Sequence, residues 1–278
     1  MQQLAGKVAL VTGASRGIGP VIARALALSG MDVALAARSA DELERTARSV
    51  RRTGMRALAI TADVANVLGR DELIQRTEAD MGPIAVLVNN AGIENTIAYE
   101  DQDPSEIARI IEVNLVAPML LARAVLPRML QRGEGHIVNI ASLAGKLGLA
   151  YDVAYSTSKG GLIQFTEGLR AEFRGRGVSA SVICPGFVAD VGMYATMSRQ
   201  AGLEASRVAG TSPPASVARA VVRCIRKDIP EIIVNPGPMR LVTTFAEMSP
   251  RAFERIFPLF RTDQLFRAAA ARSKETNR

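Results

Sequence analysis

At 278 residues and 48% hydrophobic composition, the chain suits one large α/β core, and its two cysteines are too few for a disulfide framework or a metal cluster. A net charge of +7 raises nucleic acid as a partner, but aromatic residues are only 4% and the arginines are interspersed with acidic residues, which argues against a base-stacking reader. The apolar run at 8–11 is too short for a signal segment or a membrane span, so the expected location is the cytoplasm.

Residues 7–11 read as a buried strand, followed at once by TGASRGIG (Thr12 to Gly19). Pro20 sits where the first turn of a helix tolerates it, and 21–28 has core-facing helical spacing. Three glycines alone are plain turn chemistry. Between a strand and a helix N-terminus they make a phosphate site, because backbone N–H groups and the helix dipole point at an anion. That assigns Gly13, Ser15, Arg16, Gly17, Ile18 and Gly19 to phosphate contact. A second strand, 32–37, ends in Ala37, at the position where an acidic residue would bond a ribose 2′-OH. Arg38 comes next, and with Arg16 it suits a 2′-phosphate, since a guanidinium fork binds two oxygens at once. The cofactor is therefore read as NADP(H).

A helix follows at 41–53, with Arg45, Arg48 and Arg52 on one face, a solvated face or else a landing patch for an acidic group. Beyond a strand at 57–62 come Asp63 and Val64, where Asp63 could simply cap a helix. The strand at 84–88 ends in Asn89-Asn90-Ala91-Gly92, small and amide-bearing residues that permit close backbone approach to a cofactor. Asn114 lies in the apolar helical run 110–116 and should be hydrogen-bonded if buried. His136 is the single histidine and opens the next strand, at the end away from Ser142, as a strand-edge residue rather than a base.

Ser142 falls just past that strand, and Tyr155 and Lys159 are four apart on one helix face. An ammonium beside a phenol is expected to lower the tyrosine pKa from about 10, making a usable proton donor. The helix runs to about Arg174; a strand at 178–184 leads to Pro185-Gly186-Phe187-Val188. Residues 190–214, rich in small residues with Met193 and Met197, read as a substrate lid. A helix at 215–226 and a strand at 231–234 complete about seven strands alternating with helices. The fold class is α/β, a single doubly wound Rossmann-type domain with a parallel sheet and helices on both faces. Residues 1–240 form the dinucleotide-binding and catalytic domain. Residues 241–278 form a C-terminal helical extension, packed on the same domain or a partner subunit. In that extension Phe253, Phe257 and Phe260 recur at helical spacing, interrupted by Pro258 and interleaved with Arg251, Arg255, Arg261 and Arg267. The stripe fits a membrane surface or, more commonly, packing against protein.

The glycine spacing T-G-x-x-x-G-x-G, with the Tyr155–Lys159 pair, resembles the short-chain dehydrogenase/reductase family over about 4–238. The resemblance implies that Asp63 and Val64 contact adenine and that Asn90, Ala91 and Gly92 line the cofactor. It implies that Pro185, Gly186 and Val188 lie beneath the nicotinamide, with Tyr155 and Lys159 also touching the cofactor. Ser142, Tyr155, Lys159 and Asn114 would be catalytic, with Asn114 bending its helix and holding a relay water. One departure stands out: where the family usually has Thr, this chain has Asp190. The implied activity is hydride transfer between nicotinamide and a carbonyl or secondary alcohol of a small molecule. The implied assembly is a homodimer or homotetramer, with no nucleic acid and no membrane span. A non-catalytic cofactor-binding sensor or scaffold, or an epimerase or dehydratase using the same site, are the alternative readings.

Overall fold

The computed structural model describes residues 1, 3–203, 210–257 and 262–276. Among these residues, seven strands form one parallel sheet: β1 (Val8–Thr12), β2 (Asp32–Ala37), β3 (Ala57–Thr61), β4 (Ile84–Asn89), β5 (Gly135–Ile140), β6 (Val178–Pro185) and β7 (Glu231–Val234). Their order is β3-β2-β1-β4-β5-β6-β7. Helices α1 (Gly19–Leu28), α2 (Ala40–Arg51) and α8 (Pro214–Lys227) cover one face. The other face carries α3 (Val67–Met81), α5 (Ala117–Arg132) and, toward β5 and β6, α6 (Val153–Glu172).

Alternation along each strand divides the core. Ala9, Val11, Val33 and Leu35 pack with Ile22, Leu43 and Val221 on the first face, while Val8, Leu10, Ala34 and Ala36 pack with Leu73, Leu121 and Val125 on the second. Both faces of the central strands are thus covered, which is why β1 and β4 read as continuous apolar runs. The order reverses between β1 and β4, so the connections from those two strands leave on opposite sides and open a crevice at their C-terminal ends.

Residues 104–132 are long and apolar enough by composition to cross a membrane. Half of the apolar window is buried in the fold, where Leu121, Val125 and Met129 pack on the sheet. The stretch is also interrupted. α4 (Pro104–Ile111) passes through a single π turn, Glu112–Val116, before α5.

Beyond β7, α9 (Met239–Met248) and α10 (Pro250–Ile256) meet through Phe245 and Phe253, at 6.4 Å between ring centroids, and Phe253 lies 5.0 Å from Phe257. The expected stripe is therefore partly satisfied within the extension; Pro258, Phe260 and Arg261 lie outside the described residues. α11 (Thr262–Thr276) packs Leu265, Phe266 and Ala269 onto Met197 and Ala201 of α7 (Gly192–Ala201), and Lys274 pairs with Asp101 at 2.8 Å.

His136 is no edge residue. It is 1% exposed at the start of β5, a central strand, with Nε2 2.9 Å from Ser181 Oγ. Ser181 spends its own proton on Ile229 O, so its oxygen accepts and the imidazole donates from Nε2. Burial lowers the His136 pKa from 6.5 to about 4. Above 6.5 the neutral ring suits the fold; as pH falls from 6.5 toward 4, the unfolded chain takes up a proton that the fold refuses, and stability is lost. The loss at full protonation is on the order of 3 kcal/mol. His136→Gln keeps a donor and cannot titrate. Its melting temperature should fall less than the parent's between pH 6.5 and pH 4, as read by thermal unfolding.

Candidate active site

The turn after β1 and the turn after β4 meet at the crevice. Gly13 (φ +63°) sits so close to the second turn that an added Cβ would lie 2.7 Å from Ala91 Cα; one on Gly19 would lie 2.2 Å from Gly13 O. Only glycine permits that approach. Asn90 fastens the contact: Nδ2 donates to Thr12 O at 2.9 Å and Gly13 O at 3.0 Å. Thr12 Oγ1 in turn accepts from the N–H groups of Asn90 and Ala91, at 3.0 and 3.1 Å. The Asn90 amide thus holds the loop, while the backbone lines the cleft.

One cleft, of about 1030 Å³, collects Gly13, Ser15, Arg16, Gly17, Ile18, Arg38, Asp63, Val64, Asn90, Ala91, Gly92, Pro185, Gly186 and Val188 along its wall. Gly19 is buried at the start of α1, behind the loop. Arg16 and Arg38 are exposed at the rim, and neither forms an ion pair among the described residues. The glycine cradle and the two free guanidinium groups fit a phosphorylated dinucleotide. Asp63 accepts from Ala65 N at 3.0 Å, while α3 itself is capped by Asn66, so Asp63 shapes the turn rather than capping the helix.

Ser142, Tyr155 and Lys159 converge on the inner end of this cleft. Ser142 stands at the head of a one-turn 3₁₀ helix (Leu143–Gly145), its Oγ accepting from Ala144 N at 3.1 Å and facing the Tyr155 phenol. That turn lies directly on α6, since a Cβ on Gly145 would meet the Lys159 carbonyl carbon at 2.6 Å. Lys159 is 3% exposed, donates to Ile140 O at 2.9 Å, and sits 5.6 Å from the Tyr155 ring centroid. Asn114, fully buried in the π turn, accepts from Ile93 N and donates to Ile93 O, both at 2.8 Å, and donates to Ser158 Oγ at 3.0 Å. Its amide therefore pins the chain just after Gly92. A Cβ on Gly92 would lie 3.4 Å from both Asn114 Oδ1 and Lys159 Nζ, which shows how tightly these groups close together.

The electrostatics correct one expectation. The Tyr155 pKa is raised, not lowered: burial comes first, followed by the charges of Glu94 and Asp152, with hydrogen bonding to Ser142 the opposing influence. Burial also lowers Lys159 to about 8, against the pull of Cys184 and Glu94. The phenol is thus held as O–H, the form that gives up a proton. Glu94 and Asp152 were not picked out from sequence. Burial lifts Asp152 to about 7 and Glu94 to about 8, with Asp152 pushing Glu94 further up and Lys159 drawing it down. The available signal was positional: Glu94 lies two residues past Gly92, and Asp152 three before Tyr155.

The expected lid begins at Asp190 and is closed at its base by a bridge between Val188 and Ser212, with Ser212 N donating to Phe187 O at 2.8 Å and Ala189 N to Ser212 O at 3.0 Å. Phe187, Tyr194, Met197, Phe266 and Ala269 form an apolar wall on this side of the cleft. Residues 204–209 of the lid lie outside the described residues. Asp190 is exposed at the cleft with φ +64°, a left-handed conformation that aspartate tolerates and β-branched threonine resists.

A model of the short chain dehydrogenase family matches residues 7–202. A ketoacyl reductase from Nostoc sp., HetN, is 44% identical over 94% of this chain and 91% of its own length. A metagenomic short-chain oxidoreductase solved in complex with NADP superposes with a TM-score of 0.71 at 34% identity, over 84% of this chain and 98% of that one. An actinorhodin polyketide ketoreductase variant solved with NADPH gives 0.74 at 32% identity, over 85% and 98%.

The left-handed backbone at Asp190 decides how its carboxylate is to be tested. Asp190→Asn keeps the conformation and removes the charge, so it should tighten binding of the reduced, neutral nicotinamide relative to the oxidised cation, as read from the two dissociation constants. Asp190→Thr should in addition lose about 1–2 kcal/mol of stability to backbone strain, as read by denaturant titration.

Proposed function

The chain belongs to the short-chain dehydrogenase family, and from that premise we propose that it is an NADP(H)-dependent reductase of ketones carrying an apolar chain. The observation that carries this reading is the single cleft with the glycine cradle and free Arg16 and Arg38 at one end, and Ser142, Tyr155 and Lys159 at the other. The family and the ketoacyl reductase likeness support the oxidoreductase class; the apolar wall of Phe187, Tyr194, Met197 and Phe266 supports the substrate class.

A bound nicotinamide cofactor supplies the hydride chemistry. Gly13, Ser15, Gly17 and Ile18 would hold its pyrophosphate, with Gly19 behind them allowing the close turn, and Arg16 and Arg38 would hold its 2′-phosphate. Asp63 and Val64 border the adenine; Asn90, Ala91, Gly92, Pro185, Gly186 and Val188 line the rest. Ser142 Oγ donates a hydrogen bond to the ketone oxygen, which places the carbonyl beside the phenol. Tyr155 would give its proton to that oxygen, the counterpart of the hydride that the cofactor supplies to the carbon. Lys159, 5.6 Å from the Tyr155 ring centroid, would stabilise the phenolate left behind and would bond the ribose of a bound nicotinamide. Asn114 holds Ile93, Gly92 and Ser158 in register and leads a proton back through water. The extension 241–278 packs α11 against α7 and so belongs to the substrate side of the catalytic unit 1–240. Met119 and Leu120, exposed on α5, suit a contact with a second copy in a homodimer or homotetramer. A cytoplasmic location accords with two buried, unpaired cysteines.

Tyr155→Phe should lower kcat for ketone reduction by about a hundred- to ten-thousand-fold while leaving the NADPH dissociation constant nearly unchanged. Full activity in that variant would defeat the mechanism, and binding without any NADPH consumption by the parent would favour a sensor. The parent's kcat/KM should be higher with NADPH than with NADH. Arg38→Ala should erode that preference by about tenfold or more; a preference for NADH in the parent would overturn the cofactor assignment.

A further inference from the structure

Two carboxyl groups in the cleft have no part in the chemistry just described. Asp152 is 3% exposed, and its Oδ1 is buried with no hydrogen-bond partner. It stands at the N-cap position of α6, yet its side chain makes no capping bond, so helix formation does not explain it. Glu94, half-buried on the turn after Gly92, forms no hydrogen bond or ion pair among the described residues. Both line the cleft with Ser142, Tyr155 and Lys159, and both act electrostatically on the phenol. A buried carboxyl oxygen without a donor is costly, and the cost is relieved only if something entering the cleft brings one.

We propose that Glu94 and Asp152 form a substrate subsite that binds a hydroxyl group carried by the substrate close to its reacting carbonyl. Charge selects a hydroxyl over the alternatives. With Asp152 at about 7 and Glu94 at about 8, the pair retains a proton at neutral pH, and so offers both an O–H donor and acceptor oxygens. A hydroxyl donates and accepts in the same way. A substrate ammonium would meet Lys159, and a substrate carboxylate would meet the pair itself. The position beside Tyr155 puts the hydroxyl on the reacting side of the cleft, opposite the phosphate end. The subsite thus refines the reductase reading by requiring a polar group near the ketone, with the apolar chain left to the wall of α7 and α11.

The test uses the full chain with NADPH and compares 2-hexanone with its 1-hydroxy, 3-hydroxy and 4-hydroxy derivatives. At least one hydroxyketone should exceed the parent ketone in kcat/KM by about tenfold or more, and Glu94→Leu and Asp152→Ala should each bring that ratio toward one. The ratio, unlike the absolute rate, is not moved by a merely structural defect. If one variant fails to fold, the other still reports. The same comparison is made by calorimetry on the NADPH-loaded Tyr155→Phe protein, where tighter binding of a hydroxyketone is expected. Should NADPH bind but no ketone consume it, the reductase reading fails, while the calorimetric ratio still decides the subsite. Equal handling of all four ketones, or a hydroxyl preference unchanged in both variants, overturns the proposal and leaves the carboxyls to water.

Discussion

The clamp between Asn90 and the carbonyls of Thr12 and Gly13 is the contact on which the rest of the cleft depends. It lies where the strand order reverses, so no sheet hydrogen bond reaches across the turns that must face each other there. The Asn90 amide, together with the Thr12 hydroxyl, replaces that missing connection. From the clamp the register passes along the chain: Gly92 follows two residues later, Asn114 fixes Ile93, and Lys159 closes against the same point. The glycine turn and the Tyr155 end of the cleft are thereby held at a set separation by short hydrogen bonds, whose loss would leave their polar groups unsatisfied.

Burial dominates the chemistry of the inner end. Taken out of water, the phenol and both carboxyl groups favour their neutral forms, and the lysine is drawn toward its own. A site of this kind starts from a protonated tyrosine. Restoring acidity to the phenol falls to whatever positive charge is brought close to it when the cleft fills.

Strands β1 and β4 were legible because each is covered on both faces and reads as an apolar run, and the glycine and Tyr–Lys motifs were legible because their spacing is short. What escaped notice depends on distant parts of the chain meeting. Asp152 looks in sequence like an ordinary helix-capping residue; only the fold shows that it makes no cap and that Glu94, 58 positions away, shares its surroundings. The tyrosine pKa was misjudged for the same reason, since the lysine four residues on is visible in sequence and the two opposing carboxyls are not. His136 likewise opens its strand in sequence but lies in the middle of the sheet, because β6 and β7 extend the sheet past β5.

The bridge that joins Val188 to Ser212 gathers both feet of the lid at one spot beside β6. A segment anchored in this way is tied to the sheet at both feet and to the glycine turn at its start, where Gly192 lies against Gly17 and Met193 against Gly92. Loops that vary carry specificity, and here the first turn of α7 is the part such variation must leave in place, because the glycine turn rests on it.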